Sequence, residues 1–173
     1  TVTKDGIRFG LTAIKNVGVT AIDSIIEAKQ SDGPYSSLYD FCRRVDPRVV
    51  NKKVIESLIK SGCFDSFGQG RAYLLSTYDK IVSKASAERK EAASGQGALF
   101  EIQPSATSQP VAAEEIEEFS PDQLLRMEKE LLGLYISSHP LERLRESLEA
   151  QVRMHIADIF EMNEGEAVKV GGL

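Results

Sequence analysis

Tryptophan is absent from this 173-residue chain, and cysteine and histidine occur only twice each. Two cysteines, Cys42 and Cys63, cannot build a disulfide scaffold. With no CxxC pair and only His139 and His155 as imidazoles, a structural zinc site has no ligand set to draw on. No apolar run reaches the ~20 residues that span a bilayer, and no signal-peptide pattern opens the chain, so the expectation is a soluble intracellular protein with no membrane partner. What is present is ordinary for a folded domain: 42% hydrophobic residues and 27% charged ones.

The net charge of -5 conceals two opposed halves. Residues 1–90 hold 15 Lys+Arg against 10 Asp+Glu, a net of +5, and residues 91–173 hold 6 against 16, a net of -10. The acidic total argues weakly against a polyanionic partner, and the basic first half argues for one. Both ends read as cuts: Thr1 is not an initiator, and Val168–Leu173 stop within an alternating apolar pattern. Half a sheet does not stand alone, so a segment of something larger is expected.

Hydrophobic spacing predicts short helices through the first half. A short helix over about 10–15 leads into a tight turn at Asn16-Val17-Gly18-Val19, and a second helix opens at Thr20 and stops at Gly33-Pro34. Ser37 is a cap for a helix over 38–44, and Asn51 is one for 52–60. A longer helix is expected from about Gly70 to Arg89. Residues 91–121, rich in Ala, Ser, Gly, Gln and Pro, read as a connector. Two apolar islands interrupt it, Gly97-Ala98-Leu99-Phe100 and Ile116 with Phe119, and an acidic run at 114–118 lies near its end. Ser120-Pro121 is a helix start, a further helix is expected over 141–149, Ile156–Ile159 look extended, and a strand begins at 167–170.

The most informative window is Leu11–Ala21. A turn with Gly18 among small apolar residues, leading into a helix, offers backbone N–H groups at the positive end of a helix dipole. Such a cup holds a phosphate without reading a base. Val17 and Val19 are expected to pack inward, Gly18 to let the backbone reverse, and Lys15 to add a point charge. A glycine between helices also fits a generic corner of two helices; the basic surroundings favour the phosphate reading.

Residues 9–30 resemble a helix-hairpin-helix motif, and Val50–Asp65 resemble the partner half of a tandem pair, although Gly62 is followed there by Cys63-Phe64. Arg8-Phe9-Gly10-Leu11, the Leu58–Phe67 block, Gly95–Phe100 and Glu128-Lys129-Glu130-Leu131-Leu132-Gly133-Leu134-Tyr135-Ile136-Ser137-Ser138-His139-Pro140-Leu141 together resemble the alpha-subunit family of the bacterial replicative polymerases. The resemblance implies a mostly α fold. A tandem helix-hairpin-helix domain (1–90) is followed by a flexible acidic connector (91–119), a helical segment (120–151) and the truncated β start of an oligonucleotide-binding barrel (152–173). It also implies a cytoplasmic bacterial polymerase whose palm aspartates use Mg2+. No cofactor, metal site or catalytic residue is expected in this segment, since Asp5, Asp23, Asp32 and Asp46 lie on separate elements.

The implied partners are primer–template duplex DNA, the remaining polymerase domains and other replisome subunits. The residues assigned to phosphate contact are Lys15, Asn16, Val17, Gly18, Val19 and Thr20 in the first hairpin, and Lys52, Lys53, Lys60, Ser61 and Gly62 in the second. Arg43, Arg44, Arg48 and Arg71 are secondary candidates, with a solvated face as the alternative. The acidic run is expected to repel DNA or to stay solvated, His139 to serve a turn, both cysteines to pack as small hydrophobes, and the five dispersed tyrosines to sit in core or rim. A protein–protein docking module is the competing function.

Overall fold

The computed structural model describes residues 2–3, 6–7, 10–94, 116–152, 159–160, 163 and 165–171. They divide into two compact units, residues 1–134 and 135–173.

The first unit opens with a two-stranded antiparallel ladder, β1 (Val2–Thr3) and β2 (Gly6–Ile7), in the register Val2 to Ile7. A single 3-10 turn over Leu11–Ala13 stands where a short helix was predicted. It is followed by α1 (Val19–Asp32), α2 (Leu38–Arg44), α3 (Lys52–Lys60) and α4 (Arg71–Ser94). Beyond the connector, α5 (Pro121–Leu132) belongs to the same unit.

Local sequence sets most of these boundaries. Ser37 Oγ accepts from the Asp40 N–H at 3.1 Å, and Asn51 Oδ1 accepts from the Val54 N–H at 3.1 Å, each satisfying a donor that the first helical turn leaves open. Ser120 and Gln123 form a reciprocal capping box with Pro121 in the first turn. The C-terminus of α1 is finished by a long-range group. The Arg44 guanidinium donates to the Ala28 and Gly33 carbonyls at 2.7 Å each and lies 4.4 Å above the Tyr35 ring.

The core is built from one face of each helix: Ile22 and Ile25 of α1, Leu38 and Phe41 of α2, Ile55, Leu58 and Ile59 of α3, Leu74 of α4 and Leu131 of α5. Tyr35, Phe41, Phe64 and Phe67 continue it as a chain of ring contacts with centroids 5.0–5.6 Å apart. Burying a side chain such as Phe41 contributes about 2–3 kcal/mol, so α2, which is only seven residues long, is held by packing more than by its own propensity. Cys42 is buried as expected, and burial pushes its thiol up to about 12. Cys63 is exposed in the turn after α3, contrary to the expectation of a packed hydrophobe: the neighbouring Phe64 takes the buried position, and the Cys63 Sγ lies 3.4 Å from Ser61 Oγ.

The second unit is small. A 3-10 turn (Glu142–Leu144) runs into α6 (Arg145–Gln151). His139 Nδ1 accepts the Leu141 N–H at 3.2 Å, and its ring meets Tyr135 edge-on, which is the turn role expected of it. The strand start predicted at 167–170 is not formed. Residues 166–171 take neither helix nor strand, and among the described residues no second strand lies beside them to complete a ladder. Gly171 instead approaches Leu148 and Val152. Residues 156–158 and the island 97–100 lie outside the described residues; Ile159 falls in a short 3-10 turn, not an extended stretch.

Candidate nucleic-acid interface

The first hairpin is the turn from Ile14 to Gly18 between the 3-10 turn and α1. Its reversal is made at Asn16, which takes φ +69°, and not at Gly18, whose φ of -79° any residue adopts. Asn16 affords that left-handed backbone as few side chains do. Its Nδ2 donates to the buried Ser57 Oγ of α3 at 3.1 Å, tying the turn to the helix beneath. A second tie comes from α5, where the Leu131 carbonyl accepts the Lys15 N–H at 2.9 Å.

Val17 is buried and anchors the turn, while Val19 is 64% exposed. The inward packing expected of Val19 fails on helical phase. It is the first residue of α1, and the face carrying Ala21, Ile22 and Ile25 turns it outward. Gly18 caps α1 with no side chain. The N–H groups of Asn16, Gly18, Val19 and Thr20 have no hydrogen-bond partner among the described residues, and all four residues are exposed. A Cβ built on Gly18 would meet nothing within 4 Å. Nothing inside the fold therefore requires glycine at this position, and the space it leaves opens outward.

The second block is constructed differently. Lys52 and Lys53 stand in the first turn of α3 and Lys60 in its last, so at about 1.5 Å per residue the two groups lie at opposite ends of a nine-residue helix. Ser61 and Gly62 form its C-terminal turn, and their N–H groups are spent on the Ser57 and Ile59 carbonyls. Gly62 does have a conformational reason to be glycine. Its φ is +82°, and a Cβ there would overlap the Arg71 guanidinium and come within 2.8 Å of Asp65 Oδ2.

The lysines divide by pairing. Lys52 pairs with Asp79 at 2.6 Å and Lys60 with Glu56, four residues before it. Lys15 and Lys53 are exposed and carry no ion pair among the described residues. Of the secondary candidates, Arg43 is exposed, and Arg48 is exposed and paired with Asp46 at 3.0 Å. Arg44 and Arg71 prove to be buried structural groups.

Arg71 is the hub of the second block. Its guanidinium donates to Asp65 at 2.6 Å, to Glu128 at 3.2 Å and to the Lys60 carbonyl at 3.1 Å. Burial alone would lower its pKa; the two carboxylates more than offset this and hold it above its usual value, fully charged. Glu128 is 1% exposed, so each of these charges needs the other. Ahead of them, Glu118 Oε1 accepts the Ala72 N–H at 3.0 Å in the first turn of α4. Sequence reasoning assigned Glu118 to a solvated acidic run and missed Glu128. Only the charged residues at 118 and 128 signalled these contacts, with nothing local to say what they meet.

Among the described residues, no three His, Cys, Asp or Glu side chains converge into a metal-binding cluster. No helix of the described residues is long and apolar enough to cross a membrane.

The first hairpin is thus a turn tied down from behind that leads into a helix start, with α3 and α4 packed against each other in the same unit. The family model described as a helix-hairpin-helix motif matches residues 1–74. The chain also matches, over nearly its whole length, one segment of bacterial DNA polymerase III alpha subunits. It is 37% identical over 174 residues to that of Borreliella burgdorferi, covering 99% of this chain and 15% of the relative. Against Bacillus subtilis it is 43% identical over 151 residues, 87% of this chain and 13% of the relative. Against Mycobacterium tuberculosis the figures are 35% over 173 residues, 96% and 15%. The chain thus spans only about one-seventh of the length of these relatives.

Proposed function

We propose that this chain is a non-catalytic, duplex-binding section of a bacterial DNA-directed DNA polymerase, and that it grips the backbone of primer–template DNA without reading sequence. The observation that carries this reading is the first hairpin. The N–H groups of Asn16, Gly18, Val19 and Thr20, at and just before the start of a 14-residue helix, have no partner among the described residues, and the fold itself does not need the glycine among them. A phosphate oxygen needs close approach to amides and no side chain in the way, and the helix dipole adds its favourable end. Lys15, beside the turn and without an ion pair among the described residues, supplies charge; Lys53 extends the positive surface. The remaining polymerase domains and other replisome subunits are proposed as the chain's protein partners, and Mg2+ chemistry is assigned to the polymerase as a whole.

The test is duplex binding by the 173-residue chain carrying Gly18→Asp. Aspartate is a better N-cap than glycine and places negative charge on the helix start, so the fold holds or gains a few tenths of a kcal/mol. The same carboxylate fills the phosphate position, and affinity for a labelled primer–template duplex should fall at least tenfold, about 1.4 kcal/mol. Unchanged affinity would refute the hairpin's role.

A further inference from the structure

The start of α4 already holds an anion. Glu118 Oε1 accepts both the Ala72 N–H at 3.0 Å and the Phe119 N–H at 2.8 Å. Gly70, just before the helix, makes the approach possible, since a Cβ there would overlap Glu118 Oε2. Arg71, the neighbouring cation, is turned inward to Asp65 and Glu128 and is 8% exposed. The carboxylate arrives from 46 residues further along the chain, at the end of the acidic run.

We propose that Glu118 is an internal surrogate for a DNA phosphate, seated at the start of α4 and confining the tandem's grip on duplex to the first hairpin. This rests on the reading that hairpin-start amides hold phosphates. The two helix starts are chemically alike: each follows a glycine, Gly18 or Gly70, and each presents first-turn amides at the positive end of a helix longer than twelve residues. They differ in occupancy. At α1 the amides have no partner among the described residues; at α4 a carboxylate, with the charge and acceptor geometry of a phosphate edge, has taken the Ala72 N–H. A phosphate entering there would have to displace the Ala72 hydrogen bond and meet a like charge.

The test uses the whole 173-residue chain and a labelled recessed-end duplex, with affinity followed from about 50 to 200 mM salt, where phosphate contacts report in the slope. Glu118→Ala empties the seat, and Glu118→Gln keeps an acceptor on Ala72 while removing the charge. The expected result is tighter binding at low salt, about threefold to tenfold for Ala and less for Gln. The logarithmic salt slope for Ala should be steeper by about 0.9, one added phosphate. Binding that is unchanged or weaker in both variants would overturn the proposal, and the Gln variant carries the test if Ala frays α4. Gly18→Asp in the same series separates the two ideas. If it loses affinity while the Glu118 variants leave binding unchanged, the hairpin reading stands and the surrogate falls; if Gly18→Asp binds normally, the hairpin reading itself falls.

Discussion

In the first hairpin, α1 begins on bare amides behind a glycine with open space before it; in the second, α4 begins on a carboxylate, with a buried arginine beneath. Similar backbone elements have been finished for different work. The first turn is fastened from behind, by Ser57 of α3 and the Leu131 carbonyl of α5, and left open in front. The second is fastened through charged groups: Arg71 joins Asp65 and Glu128, and Glu118 takes the Ala72 N–H. A tandem repeat therefore does not imply two equivalent grips. In the function proposed above, the first half meets the duplex, and the other joins α3, α4 and α5 through Arg71, Asp65 and Glu128.

The difference can be broken most forcefully at Glu128. Glu128→Ala leaves the buried Arg71 with Asp65 and the Lys60 carbonyl, and the chain should lose about 3 kcal/mol in urea unfolding, while the salt slope of duplex binding by the folded fraction stays the same. Gly62→Ala comes next. A side chain at φ +82° against the Arg71 guanidinium should cost about 2 kcal/mol, read as a lowered thermal midpoint. The contrast with Gly18 is the point, since there a substitution moves binding and leaves stability nearly unchanged. A smaller effect is expected among the lysines. Lys15→Gln should flatten the logarithmic salt slope by about 0.9, and Lys60→Gln, already neutralised by Glu56, by clearly less.

The smallest effect concerns pH and the far end of α1. Asp40 feels burial, which raises its pKa, but the Ser36 N–H and the Arg44 guanidinium outweigh it and hold the carboxyl below its usual value. Its contribution is therefore present above the unfolded pKa of about 4 and is lost as pH falls through the lower folded value. Unfolding free energy should decline across that window, and Asp40→Asn should flatten the decline without touching duplex affinity at neutral pH.

What could be read from the sequence was local. Ser37, Asn51 and Ser120-Pro121 cap helices through contacts no more than three residues away, and each sits where its residue type placed it. The apolar spacing of α2 and α3 likewise gave their inward faces. The first hairpin was legible as a turn, but its reversal was expected at Gly18 when Asn16 makes it, and Val19 was turned the wrong way by one step of helical phase. The second hairpin was the least legible part. Its character is set by contacts 46 and 57 residues apart, Glu118 to Ala72 and Glu128 to Arg71, which join positions on either side of the connector. Charge counting treats such carboxylates as solvated, because no spacing rule links them to their partners.

The most direct measurement of the account is an amide-resolved titration of the unaltered chain with primer–template duplex, by two-dimensional NMR. The account predicts that the amide resonances of Asn16, Gly18, Val19 and Thr20 shift together as duplex is added, and that Ala72 stays where it is, shielded by Glu118. Shifts centred on Ala72, or an undisturbed first hairpin, would contradict it.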